Sequence, residues 1–142
     1  MSEGEKRVEY WPNGKRKKRV IYWPNGQKER EVNYNDDGIE DGLTTYWFEN
    51  GQKWCGGKYK DGEEDGLWTY FHENGQRRTE WEYKNGKKIS MREWAYYYPD
   101  GQMLRETTYK DGEWISKYWN EDGGYKGIRN NDAGPWRILE DE

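Results

Sequence analysis

Three residue classes are scarce in this chain of 142 residues, and each scarcity excludes something. Cysteine occurs once, at Cys55, so no intramolecular disulfide can form, and a single thiol fits a reducing compartment. Histidine occurs once, at His72, which leaves neither a base–orienter pair nor a set of histidine metal ligands. Four Leu, six Ile, three Val and two Phe make only 15 aliphatic or phenylalanine side chains in 142, a level at which many chains do not fold. No segment is apolar for long enough to cross a bilayer as a helix. The start, Met1 to Arg7, carries charges without the hydrophobic stretch of a secretory signal, so a cytoplasmic location is the expectation.

What is present reverses the suspicion of disorder. The chain holds 10 Trp and 13 Tyr, and its net charge is only −4 although 37% of its residues are charged. Disordered chains are poor in aromatics. Aromatic rings bury much area each and favour strands, so the core is expected to be built from Trp and Tyr.

Internal repetition decides the architecture. A turn element recurs as Trp11-Pro12-Asn13-Gly14, Trp23-Pro24-Asn25-Gly26, Phe48-Glu49-Asn50-Gly51, His72-Glu73-Asn74-Gly75, Tyr98-Pro99-Asp100-Gly101 and, decayed, Asn120-Glu121-Asp122-Gly123. A second interleaves with it: Asp37-Gly38, Asp61-Gly62, Asn85-Gly86, Asp111-Gly112, then Asn131-Asp132-Ala133-Gly134. Asn-Gly and Asp-Gly between strand-like runs signal hairpins, because glycine accepts positive φ at no steric cost. An aromatic stands four residues before each first-turn glycine: Tyr10, Tyr22, Trp47, Phe71, Tyr97 and Trp119. A tyrosine stands eight residues after it in the full repeats: Tyr34, Tyr59, Tyr83 and Tyr109. Runs such as Trp81-Glu82-Tyr83 alternate with the period of a strand, and no window shows a helical stripe.

The expected fold is all-β: an elongated single-layer antiparallel meander of tandem hairpin repeats about 24 residues long, with roughly 11 or 12 strands at ~4.8 Å spacing. One repeat cannot bury its face alone, so neighbours supply the cover. Residues 1–142 form a single domain: a truncated repeat at 5–26, full repeats near 27–51, 52–75, 76–101 and 102–123, and a degraded C-terminal cap at 124–142.

The run from Lys58 to Gln76, Lys-Tyr-Lys-Asp-Gly-Glu-Glu-Asp-Gly-Leu-Trp-Thr-Tyr-Phe-His-Glu-Asn-Gly-Gln, resembles the variant MORN repeat found in tandem in many bacterial proteins. The resemblance spans about residues 8–128 and is strongest from Tyr34 to Gly86. After Gly86, Lys87 to Arg92 and Glu113 to Ser116 replace the second Asp-Gly step, so those repeats are expected to differ in curvature. The resemblance implies hairpin arrays used for protein contacts, with an antitoxin or inhibitor role as one form, and it brings no catalytic residues. The stretch from Trp94 to Met103 also looks like choline- and glucan-binding repeats, whose period is nearer 20. A glycan, choline or other small-molecule ligand is therefore the alternative reading, and a structural spacer a further one.

Candidate chemistry is otherwise thin. His72 occupies the strand-to-turn position that Trp23, Phe48 and Tyr98 fill elsewhere, and Cys55 reads as a small strand residue. The acidic clusters Asp36, Asp37, Glu40, Asp41 and Asp61, Glu63, Glu64, Asp65 lack EF-hand spacing, and Asp before Gly is turn chemistry, so no metal or other cofactor is expected. Lys15 to Arg19 is one dense basic run, which an edge strand uses against aggregation. The acidic balance elsewhere disfavours nucleic acid, and one short cluster is weak support for a membrane surface. The aromatics are the informative feature. Counting back from the glycines sets Trp68, Tyr70, Trp94, Tyr96 and Tyr118 on one face and Trp47, Phe71 and Tyr97 on the other. A single layer cannot hide both faces, so an exposed aromatic face is the candidate binding surface of a non-enzymatic module whose partner is another protein.

Overall fold

A computed structural model describes residues 4–97 and 101–130. The masked stretches contain Tyr98-Pro99-Asp100, the expected turn at Asn131–Gly134 and the end of the expected cap, all of which lie outside the described residues. Eleven strands follow one another in a single antiparallel sheet: β1 (Lys6–Tyr10), β2 (Arg16–Tyr22), β3 (Lys28–Tyr34), β4 (Glu40–Trp47), β5 (Lys53–Lys60), β6 (Glu63–Phe71), β7 (Arg77–Lys84), β8 (Lys87–Tyr96), β9 (Met103–Lys110), β10 (Glu113–Trp119) and β11 (Tyr125–Asn130). Spatial order equals sequence order, β1 to β11, so every pairing is a hairpin and the described residues form a meander without crossovers. At ~4.8 Å per strand the array is on the order of 50 Å across.

Two turn chemistries build the two long edges. On one edge the turns at 23–27, 48–52, 72–76 and 120–124 each donate the first N–H to the carbonyl of the fifth residue and the glycine N–H back to the first carbonyl, as in Trp23 N to Gln27 O at 2.7 Å and Gly26 N to Trp23 O at 2.9 Å. This is a three-residue loop: a type I corner followed by a left-handed glycine. On the other edge Asp61, Asn85 and Asp111 take φ of 50°, 53° and 53° before glycines that are also positive, which is the two-residue hairpin turn of mirror-image type. The turns at Trp11–Lys15 and Asn35–Ile39 stand on that second edge but use the three-residue geometry. Gly14 therefore carries the first turn's sequence on the second turn's edge, which is why its spacing to Gly26 is half a repeat.

Adjacent turns on one edge are tied together. The Asn25 amide donates to Glu49 O at 2.8 Å, Asn50 to Glu73 O at 3.0 Å and Gln76 Nε2 to Gly101 O at 2.8 Å. Each Asn also accepts from the backbone two residues on, as Asn50 Oδ1 does from Gln52 N at 2.9 Å. Gly51 shows the double constraint: its φ is 87°, and a Cβ there would stand 3.2 Å from the Gln27 side chain of the neighbouring turn. Turn chemistry and repeat stacking thus demand the same glycine.

Paired residues in antiparallel strands share a face, and the register fixes which. One row runs Ile21, Arg30, Tyr46, Cys55, Tyr70, Thr79, Glu93, Thr107, Ser116 across β2 to β10. A parallel row on the same side runs Val32, Thr44, Gly57 and then Trp68, Trp81, Met91, Tyr109, Trp114. We call this the front face. Seven of the nine buried side chains belong to it (Ile21, Val32, Thr44, Cys55, Trp68, Thr107 and Ser116), so the core lies on the front and consists of neighbours in one layer. Only Val20 and Trp94 are buried on the back.

Trp68 is the centre of this core. Its strand bulges, so that Gly66 to Trp68 face Gly57 of β5 without a one-to-one partner. The indole lies flat on that glycine, where a Cβ would sit 2.4 Å from the ring. Tyr59 and Tyr83 meet Trp68 edge-on at 5.1 and 6.4 Å, and the indole N–H donates to Lys58 O at 3.1 Å. The expected tyrosine series thus forms an aromatic ladder here, through cross-strand pairs of the kind that stabilise sheets. The Asp-Gly steps at Gly42 and Gly66, with φ of 90° and 75°, make the bulges of β4 and β6. Where the step is missing, β8 keeps a one-residue irregularity at Ile89 and β10 pairs with β9 without any.

Gly57→Ala is expected to destabilise the protein by about 1–3 kcal/mol through overpacking against Trp68. The check is the urea midpoint. An unchanged midpoint would mean that the indole does not rest on this backbone.

Candidate functional site

The front face carries more aromatic surface than its core consumes. Towards the Asn-Gly edge each hairpin has a bulge that turns two adjacent side chains to the front, as Trp54 and Cys55 do opposite Tyr46. Tyr46 and Trp54 meet edge-on at 5.6 Å, Phe48 lies 6.3 Å from Trp54, and Arg30 stacks on the Tyr46 ring at 5.6 Å. Together with Trp23 they line a groove of about 670 Å³. A second groove, of about 1060 Å³, lies further along the same edge between β7 and β9, with Thr79, Trp81, Met91 and Ala95 along its base. Trp54 is 39% exposed, and no described residue forms a second layer over either groove.

The back face has a different character. Leu43 and Leu67 stand singly at 58% and 56% exposure among Glu, Lys, Arg and Thr. Its rings are roofed by cations: Arg77 lies 4.3 Å and Arg92 6.0 Å from the Trp94 ring, and Lys28 lies 5.6 Å from Trp47. Long cationic stems keep these rings from water. Lys18 bonds Glu31 at 3.1 Å beside the buried Val20. Burial alone would raise the Glu31 pKa, but the hydrogen bond from Lys18 and the charges of Lys28 and Lys18 outweigh it, so the carboxyl titrates below its ordinary value.

The structure divides the eight expected aromatics. Trp68, Tyr70 and Tyr118 are on the front, whereas Trp94 and Tyr96 are on the back with Trp47 and Phe71. The reason is one inserted residue. Tyr97 N bonds Gln102 O, where His72 N bonds Gln76 O, so the loop is six residues long in place of five. Counting back from Gly101 therefore misses by one, and in a strand one residue is one face. Tyr96, not Tyr97, continues the series of Trp47 and Phe71, and Tyr97, not Tyr98, takes the turn position of His72. Trp68 and Trp94 are each only 4% exposed, so neither is an exposed face residue. Tyr46, Trp54, Trp81 and Met91 are front-face residues absent from the sequence expectation. Tyr46 was legible, since it precedes Gly51 by the interval at which Tyr70 precedes Gly75. Trp54 was not, because only the bulge turns it to the front.

Catalytic chemistry finds little purchase. His72 meets Tyr96 edge-on at 6.2 Å, and no carboxylate orients it among the printed contacts. Cys55 is buried, and burial pushes its thiol up to about 11 despite the opposing charge of Arg78. Among the described residues no group of His, Cys, Asp and Glu is arranged to hold a metal ion, and no helix is long and apolar enough to cross a membrane.

Comparison with known proteins agrees with this geometry. A family model described as the MORN repeat variant matches residues 17–36, 64–85 and 93–111, which bears out the resemblance read from Lys58 to Gln76. The protein is thus an array of variant MORN repeats, a non-catalytic repeat module in its family. No curated protein matches. One solved structure, titled "Crystal structure of accessory secretory protein 1,2 and 3 in Streptococcus pneumoniae", is 14% identical with a TM-score of 0.27. The match covers 83% of this chain and 19% of that one, and at that score the likeness carries no argument.

Two outcomes follow from the buried acids. Cys55 is expected to react with a thiol reagent at pH 8 at least ~100-fold more slowly in the folded protein than in denaturant, because the thiolate is the reactive form. Comparable rates would place the thiol at the surface. Burial, with Glu40 and Glu64 adding, pushes Tyr59 up to about 12, and burial also raises Tyr70, Tyr83 and Tyr96. Between the unfolded tyrosine value near ~10 and those raised values the folded state holds more protons, so stability present below pH ~10 is lost as pH rises through about 12. Urea midpoints at pH 8, 10 and 11.5 test this, and Tyr59→Phe is expected to shallow the decline.

Proposed function

We propose that this protein is a non-enzymatic docking module that binds another protein through the aromatic front face along its Asn-Gly edge. The observation that carries the reading is the contrast between faces: Tyr46, Trp54, Phe48 and Trp81 line grooves with nothing packed over them, whereas the back-face rings of Trp47 and Trp94 are roofed by Lys28 and Arg77. Front-face Trp81 also carries a cation, with Lys88 at 3.8 Å, so the contrast is one of groove shape as well as of covering. Trp, Tyr and Arg are the residues that dominate interface energetics, and clustered aromatic surface beyond what a core needs marks an interaction site. A module without catalytic groups acts on a partner by occupying its surface. Neutralising a toxin or inhibiting an enzyme would be that action in its simplest form.

The first experiment is affinity purification of the tagged chain from its native host, followed by titration of the co-eluting protein. Trp54→Ala and Tyr46→Ala are expected to weaken binding roughly tenfold or more each, the loss of ~1.4 kcal/mol or above seen at interface anchors. Leu43→Ala and Leu67→Ala on the back face are expected to leave affinity within about twofold. Losses on the back equal to those on the front would remove the front-face assignment.

A further inference from the structure

The hairpin of β8 and β9 breaks the front-face pattern at one position. The residue before the last of each strand entering an Asn-Gly edge turn is Ile21, Tyr46, Tyr70 and Tyr118 in four hairpins, and Ala95 in the fifth. A methyl group in place of a ring leaves a notch, and the groove of about 1060 Å³ opens there.

Two arginines line that groove. Arg105 is the cross-strand partner of Ala95, and Arg78 is the bulge residue of β7 beside Thr79. Among the described residues neither guanidinium forms an ion pair, and Arg105 Nε is buried without a hydrogen-bond partner. Other arginines of the sheet are engaged: Arg30 on Tyr46, Arg77 on Trp94, and Arg92 on Trp94 and 3.7 Å from Glu106. A buried guanidinium nitrogen with no acceptor is costly, whereas a guanidinium–carboxylate pair is among the strongest and most directional polar contacts. Glu93 also lines the groove, paired across the strands with Thr79 and Thr107, and Glu73 stands at its turn end. Their charges would repel a run of acids but leave room for one.

We propose that the notch over Ala95 receives a single Asp or Glu side chain from an extended segment of the partner protein. Arg78 and Arg105 hold the carboxylate, and an apolar neighbour in the segment rests on Trp81 and Met91. The proposal rests on the docking reading above and adds its recognition chemistry: an isolated acid flanked by apolar residues.

The test is selection of a random peptide library on the immobilised full chain, followed by fluorescence polarisation of the selected peptides. Peptides with one acidic residue beside an apolar one are expected. Their affinity should fall at least ~10-fold when the acid becomes its amide, in the Arg78→Gln, Arg105→Gln double variant, and in Ala95→Tyr. Ala95→Tyr restores the side chain of the sister hairpins, so its thermal midpoint should stay near that of the unaltered protein, separating loss of the notch from loss of the fold. Selected peptides with no need of a carboxylate, full affinity in Ala95→Tyr, or a selection that yields no binder would each overturn the proposal. Peptides that lose affinity in Trp54→Ala but not in Ala95→Tyr would keep front-face docking and discard the notch. Indifference to both substitutions would discard both.

Discussion

A single layer has no second sheet to bury against, and the rest of this structure follows from that constraint. Apolar surface can leave water only beneath its own neighbours, so the side chains must be wide and flat enough to cover one another sideways. Trp and Tyr meet this need and Val and Leu do not, which accounts for a chain with 10 Trp and only three Val. The same constraint puts a bare glycine under Trp68: the ring is covered from below by Gly57 and from both sides by Tyr59 and Tyr83. Where a suitable ring is lacking, hydroxyls close the row, as Thr107 and Ser116 do at 2.6 Å.

The second demand on a single layer is registry over eleven strands. Backbone ladders alone tolerate slippage, and a slip by one residue exchanges the faces. The turn chemistries remove that freedom. Three-residue loops on one edge carry Asn or Gln side chains that reach the next turn, and the bulge that follows each loop presents a pair of residues to the front. The bulge thus serves registry and also widens the front face, so the grooves are by-products of how the hairpins are closed.

Much of the fold was legible in the sequence because its determinants are local. Asn-Gly and Asp-Gly dipeptides, alternation and a fixed period specify hairpins without long-range information, and strand order adds none. The candidate surface was legible only in part. Which face a residue occupies depends on parity accumulated from the nearest turn, and the longer loop at Tyr97–Gln102 changes that parity without disturbing the visible pattern. Trp94 looked like the twin of Trp68 for that reason. Burial was also hidden, because it depends on what lies across the strand: Gly57 for Trp68, and the stems of Arg77 and Arg92 for Trp94. Ala95 was unremarked because a small residue in a strand signals nothing until its sisters are known to be tyrosines.

The sequential strand order also sets how the molecule carries load. With β1 and β11 at opposite ends of the sheet, a pull applied between them runs across the strands and along the backbone hydrogen bonds. Bonds loaded in that direction break in succession, not together. Under tension the protein should therefore lengthen hairpin by hairpin at low force, each step releasing one repeat while the rest keep their registry. Such an array behaves as an extensible tether and not as a strut.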